Sequence, residues 1–121
     1  MKIPRSRRIA NRSEFQNVRA NGRSISGRFL VLGYLSDDSL QEPFRLGLIT
    51  TRKLGNAVVR NRVRRRIRGI FHRLGDRLLP GHWIVIVARN AAAKATSEQL
   101  EKEWKWLMHR ASLMQPAKDS E

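Results

Sequence analysis

The side chains with the clearest chemical potential lie between Arg52 and Arg68. Arg52 and Lys53 come first, then Asn56. Arg60, Asn61, Arg62, Arg64, Arg65, Arg66 and Arg68 follow, with no acid among them. A guanidinium is planar and permanently charged, can bond two phosphate oxygens at once and can stack on a base, which an ammonium cannot do. The short amide of Asn61 brings a donor and an acceptor within reach of a phosphate, a ribose hydroxyl or a base edge. Asn56 suits either that role or the capping of a helix start. The chemistry implied is recognition of a polyanion.

Catalytic chemistry has no comparable signature. His72, His82 and His109 stand apart, and the acids gather only as Asp37-Asp38 and as Glu98, Glu101 and Glu103. Asp37-Asp38 falls in a polar stretch that suits a turn better than a metal site. Glu101 and Lys105 are spaced as a helical ion pair. No nucleophile–base arrangement and no glycine loop for phosphate is present. Cysteine is absent, which excludes disulfides and thiolate zinc sites.

The arginines must be positioned by the segment Ala57–Leu74. Val59, Val63, Ile67, Ile70, Phe71 and Leu74 recur at helical spacing and form one apolar stripe. Arginine occupies most of the remaining circumference. A merely solvated helix mixes signs to gain ion pairs at i,i+4. Here Arg60, Arg64 and Arg68, and likewise Arg62 and Arg66, repel one another instead, so an external polyanion is the partner that satisfies them.

Elsewhere, Ser13-Glu14-Phe15-Gln16 fits a capping box opening a short helix that stops at Asn21-Gly22. Arg28–Leu35 and Phe44–Thr50 read as strands, joined across the polar stretch Ser36–Pro43 as an antiparallel hairpin. Trp83–Ala88 is a continuous apolar run suited to a strand covered on both faces, parallel to Phe44–Thr50. Thr96–Met114 reads as a final helix, capped by Thr96 with Gln99, that buries Leu100, Trp104, Leu107, Ala111 and Met114. Trp106 falls opposite that stripe, over a loop or in solvent, and the lack of net positive charge on this helix argues against a nucleic-acid role. The expected fold is a single α+β sandwich in the order helix–strand–strand–helix–strand–helix. It spans residues 1–115, with a basic tail over 1–10 and a frayed end over 116–121.

The 121 residues carry 25 Lys+Arg against 10 Asp+Glu, a formal net charge of +15, while 40% are hydrophobic. A folded domain is therefore expected rather than a disordered polycation. Ten basic residues and no acid lie between Pro43 and Gly75, whereas Lys94–Glu121 balances five against five. No apolar stretch approaches the ~20 residues of a membrane-spanning helix, and the N-terminus lacks the apolar core of a signal peptide. A cytoplasmic, nucleic-acid-facing protein without a membrane partner is expected.

The run Arg52–Arg68, in which Arg60-Asn61-Arg62 follows Gly55-Asn56-Ala57-Val58 and precedes further arginines, resembles the signature of the bacterial ribonuclease P protein component. The resemblance extends to Ser13–Gln16, Phe44–Thr50 and Trp83–Arg89. It implies a subunit that pairs with a catalytic RNA to remove the 5′ leader of precursor tRNA. Mg²⁺ would be held by the RNA and substrate rather than by this chain, and the protein itself would be monomeric. It further implies a left-handed strand–helix–strand crossover. Arg60, Asn61, Arg62, Arg64, Arg65 and Arg68, with Arg52, Lys53 and Asn56, would contact RNA. Phe15 would be an aromatic platform for a leader nucleotide, its alternative being plain core packing, and Arg19 would join it where some relatives carry a second aromatic. Gly33 stands where some relatives have an aromatic, and Tyr34 beside it points to the opposite face. The rival readings are a ribosomal or RNA-chaperone protein with no processing role, a nuclease in its own right and, more distantly, a DNA regulator. The last would need a recognition helix with varied base-reading side chains.

Overall fold

A computed structural model of the chain describes residues 8, 9 and 11–114. Three helices and four strands follow in the order α1 (Arg12–Asn21), β1 (Arg23–Ser26), β2 (Leu30–Ser36), β3 (Phe44–Ile49), α2 (Ala57–Leu74), β4 (His82–Ala88) and α3 (Ser97–Arg110). Short 3-10 turns occupy Arg52–Leu54, Gly75–Arg77 and Asn90–Lys94. Residues 1–7 and 10 of the expected basic tail, residue 115 and the expected frayed end, 116–121, lie outside the described residues. Arg8 and Ile9, counted with the basic tail, are fixed to the sheet: Arg8 bridges Leu46, and the Ile9 amide donates to the Leu46 carbonyl at 2.9 Å.

The sheet order is β1-β2-β4-β3. β3 and β4 run parallel, as expected from the intervening helix, with Phe44 opposite His82 and Ile49 opposite Val87. The expected β2–β3 hairpin does not form, because β4 lies between them and pairs antiparallel with β2. The reason is burial. Trp83–Val87 is apolar at every position and can be covered on both faces, whereas β3 carries Arg45 and takes the edge. The strand β1, absent from the sequence expectation, holds a single apolar residue, Ile25, and pairs with β2 at the other edge.

One sheet face carries the main core. Leu30 and Leu32 of β2, Phe44 and Leu46 of β3, and Ile84 and Ile86 of β4 pack against Val63, Ile67, Ile70 and Phe71 of α2 and Leu100, Trp104 and Leu107 of α3. Phe71 sits between Phe44 and Trp104, with ring centroids 5.7 and 5.2 Å away. The other face is covered by α1, where Val18, Val85 and Ile9 form a smaller cluster with Phe15, Ile49 and Val87 at its margin.

Local chemistry sets the boundaries. α1 begins two residues earlier than expected. Asn11 is the cap and accepts from the Glu14 amide at 3.0 Å, while Glu14 reaches back to the Asn11 amide. Ser13 was expected as the cap, but its hydroxyl bonds Asn11 instead. The turn into β1 requires Gly22, where a Cβ would lie 2.3 Å from the Tyr34 carbonyl oxygen. α3 starts at the expected box of Thr96 and Gln99 but ends at Arg110, short of Met114. Ser112 adopts the left-handed region at φ 59°, turning the chain so that Leu113 and Met114 fold back into the core and Met114 bridges Leu78. Glu103 anchors the start of β2 by accepting the amides of Arg28, Phe29 and Leu30, each at 2.7 Å. Those bonds replace sheet pairing there, and β2 begins at Leu30 rather than Arg28. Asp37 is the turn-former expected of it, accepting the Ser39 amide and hydroxyl and the Trp83 indole N–H.

Candidate nucleic-acid interface

The apolar stripe of α2 seats as the spacing requires, and this fixes where its arginines face. Val63, Ile67, Ile70 and Phe71 are buried, with Val59 and Leu74 partly so. Asn56 caps the helix, accepting the Val59 amide at 3.0 Å. The first turn of α2 contains no acid, so nothing within the helix neutralises the positive end of its dipole.

The arginines divide into two groups. Arg60 donates to the Gly55 carbonyl at 2.9 Å, Arg62 to Ala93 at 2.9 Å and Arg66 to Ala95 at 2.7 Å. Arg62 and Arg66 thereby pin the segment leading into α3. A guanidinium has five N–H donors, so a single carbonyl leaves capacity for a phosphate. Arg64 leans on Asn61 at 3.3 Å. Arg65 and Arg68, with Arg52 and Lys53, are exposed and form no ion pair among the described residues. Arg73, at the far end, is held by Glu101.

On the opposite sheet face lies a groove of about 740 Å³ between α1 and the strands, within the roughly 300–1,000 Å³ of ligand clefts. Its floor is apolar, from Val31, Gly33, Val85 and Val87. Its walls carry Phe15 and Gln16 together with three arginines, Arg12, Arg19 and Arg23, and no acid. Phe15 and Arg19 are thus brought together as expected. Gly33 opens the floor, while Tyr34 packs on the core side. Arg12, Arg23 and Ser24 were not singled out from sequence. Arg12 could have been found once Asn11 was recognised as the cap, whereas Arg23 lies on the strand that left no pattern.

The two surfaces meet at the edge strand β3. A smaller hollow of about 160 Å³ is lined by Arg8, Ile9, Phe15, Leu46, Gly47, Leu48 and Arg68. Phe15 therefore belongs to both the groove and the hollow, and Arg68 of α2 closes the hollow's far side. The Phe15 ring is half-buried over Gly47, where a Cβ would come within 2.4 Å of it. Its packing and platform roles are compatible, with one part of the ring seated and another lining the groove.

Among the described residues no three His, Asp or Glu side chains gather into a metal-binding group, and no helix is long and apolar enough to cross a membrane. An arginine face joined to an apolar, arginine-rimmed groove suits holding RNA.

Comparison with known proteins agrees. The family model described as Ribonuclease P matches residues 3–112. The ribonuclease P protein component of Symbiobacterium thermophilum is 40% identical over 108 residues, covering 89% of this chain and 93% of that one. That of Syntrophomonas wolfei is 35% identical over 111 residues, covering 92% of each. Among solved structures, the Staphylococcus aureus RNase P protein superposes with a TM-score of 0.82 at 30% identity, covering 89% of this chain and 97% of that one. The arginine helix, the groove behind it and these likenesses together make this chain a member of the bacterial ribonuclease P protein family.

Proposed function

We propose that this chain is the protein subunit of ribonuclease P, serving the endonucleolytic removal of the 5′ leader from precursor tRNA by gripping the catalytic RNA with α2 and the leader with the α1 groove. The observation that carries this reading is the continuity of the two surfaces through Phe15 and Arg68. A leader leaving the cleavage site would pass from the arginine helix into the groove without crossing an acid. Arg65 and Arg68, with Arg52 and Lys53, neutralise phosphates where two polyanions converge. Arg60, Asn61, Arg62 and Arg64 hold α2's geometry and lend their remaining donors. Phe15 stacks a leader base, a contact that tolerates sequence, and Arg19 takes the adjoining phosphate.

Mg²⁺, held by the catalytic RNA and the substrate, supplies the chemistry of hydrolysis. This chain lowers the repulsion that otherwise opposes occupancy of those sites. The protein acts as a monomer in the cytoplasm. Reconstitution tests the reading. Added to the cognate catalytic RNA, the protein should raise precursor-tRNA cleavage strongly at low Mg²⁺ and little at high Mg²⁺. Absence of stimulation at low Mg²⁺ would leave only a binding role of the ribosomal or chaperone kind.

A further inference from the structure

The outer face of α3 carries an aromatic that the fold does not use. Trp104 is fully buried and Trp83 donates its indole N–H to Asp37, but Trp106 is 49% exposed. One helical turn to either side stand Lys102 and Arg110, both exposed and neither in an ion pair among the described residues. The Arg110 guanidinium lies over the Trp106 ring, 5.9 Å from its centroid.

The balanced charge of the C-terminal third hides how that charge is segregated. Glu101 is held ionised by Arg73 of α2 and by Lys105. Glu103 spends its carboxylate on the amides of Arg28, Phe29 and Leu30. Glu98 lines a hollow beside α2 with Arg73, Glu101, Lys102 and Lys105, so that Lys102 stands at the border of this side and the outer one. Glu101 and Glu103 are thus bound on the α2 side and at the start of β2, and Trp106 stands between the cations Lys102 and Arg110, unpaired among the described residues.

We infer that Trp106, Arg110 and Lys102 form a second RNA contact, in which an unpaired nucleotide of the catalytic RNA stacks on Trp106 and its flanking phosphates meet the two cations. The inference rests on the proposed function for its partner. The catalytic RNA is chosen over the leader because α3 shares the helical layer with α2, whereas the Phe15 groove lies on the other face of the sheet. A leader seated there is separated from Trp106 by the sheet itself. A protein partner fits less well at Lys102, since lysine is depleted at protein interfaces, whereas phosphates would take up both Lys102 and Arg110.

The test uses the full chain and the catalytic RNA without substrate. Trp106→Ala should weaken affinity by about fivefold or more, the scale of one base–aromatic stack, and Trp106→Phe should retain most of it. Arg110→Ala should weaken binding and lower the salt slope by about one unit. Binding should quench a part of the tryptophan emission that is missing in Trp106→Phe. Precursor-tRNA affinity of the RNA-saturated complex should not change. Wild-type affinity in Trp106→Ala would overturn the inference, as would a loss confined to substrate binding. Should Trp106→Ala fail to fold, absence of quenching at Trp106 would overturn it equally. Arg65→Ala run in parallel separates the two readings. If it weakens binding while Trp106→Ala does not, only the inference falls; if neither does, the catalytic RNA is not the partner of α2.

Discussion

Gly47→Ala should damage leader binding while sparing the arginine helix. The added Cβ would lie 2.4 Å from Cε1 and 2.7 Å from Cζ of Phe15, and 3.2 Å from Cδ1 of Ile9. Ordinary carbon contacts need roughly 3.5–4.0 Å, so the ring must move by about 1 Å or more. Backbone closes the β3 side, and the half-buried ring is displaced into the groove whose wall it forms. Overpacking of this kind costs about 1–3 kcal/mol of stability. If the displaced ring no longer offers its face to a base, the lost stacking is worth about 1–3 kcal/mol, roughly a 5- to 150-fold loss of leader affinity. The assay compares binding of precursor tRNA and mature tRNA to the reconstituted complex. The variant should lose most of the preference for the precursor, with affinity for the catalytic RNA held within about twofold. A folded Gly47→Ala protein that discriminates precursor from mature tRNA as well as wild type would refute the placement of the leader against Phe15. An equal loss for both tRNAs would refute it too.

Two further outcomes follow from bonds in the fold. Glu103→Ala strands the amides of Arg28, Phe29 and Leu30 at the start of β2. Hydrogen bonds to a charged group are worth about 1.5–3 kcal/mol each. With the exposed Arg28 amide recovered by water, the two remaining bonds give an expected loss of about 3–6 kcal/mol. Thermal denaturation should then fall by on the order of 10 °C, and an unchanged midpoint would show that the three bonds contribute nothing. Asp37 has its carboxyl held below the ordinary 3.8 by Ser39 and by the Trp83 indole. Its folded-state value is depressed, so its stabilisation is present above about pH 4 and is lost as pH falls through the lower folded value. The difference in midpoint between wild type and Asp37→Asn should therefore be largest at neutral pH and vanish in stronger acid. A constant difference across that range would contradict the assignment.

The helices were legible because their signals are local. The α2 stripe from Val59 to Leu74, the Asn56 cap and the Thr96–Gln99 box each lie within a few turns of the residues they control. Sheet order was not, since nothing near Leu30 or Phe44 states that β4 will come between them; that is decided by which strand is apolar on both faces. β1 escaped notice for want of more than one apolar residue. The arginine face could be read from the helical wheel alone, but the groove could not. Its lining draws on α1, β1, β2, β3 and β4 together, and only Phe15, Arg19 and Gly33 were named for it beforehand, through family likeness. The partners of Glu101 and Glu103 were equally illegible, because net charge along a segment says nothing about which face each acid is bound to.

Salt dependence of affinity for the catalytic RNA measures the α2 grip most directly. With roughly six phosphates neutralised, log affinity should fall with log salt at a slope of several units. Arg65→Ala or Arg68→Ala should weaken binding and lower that slope by about one unit each, with the thermal midpoint unchanged because both side chains are exposed. Slopes that match wild type in both variants would contradict the claim that the outward arginines of α2 hold the RNA.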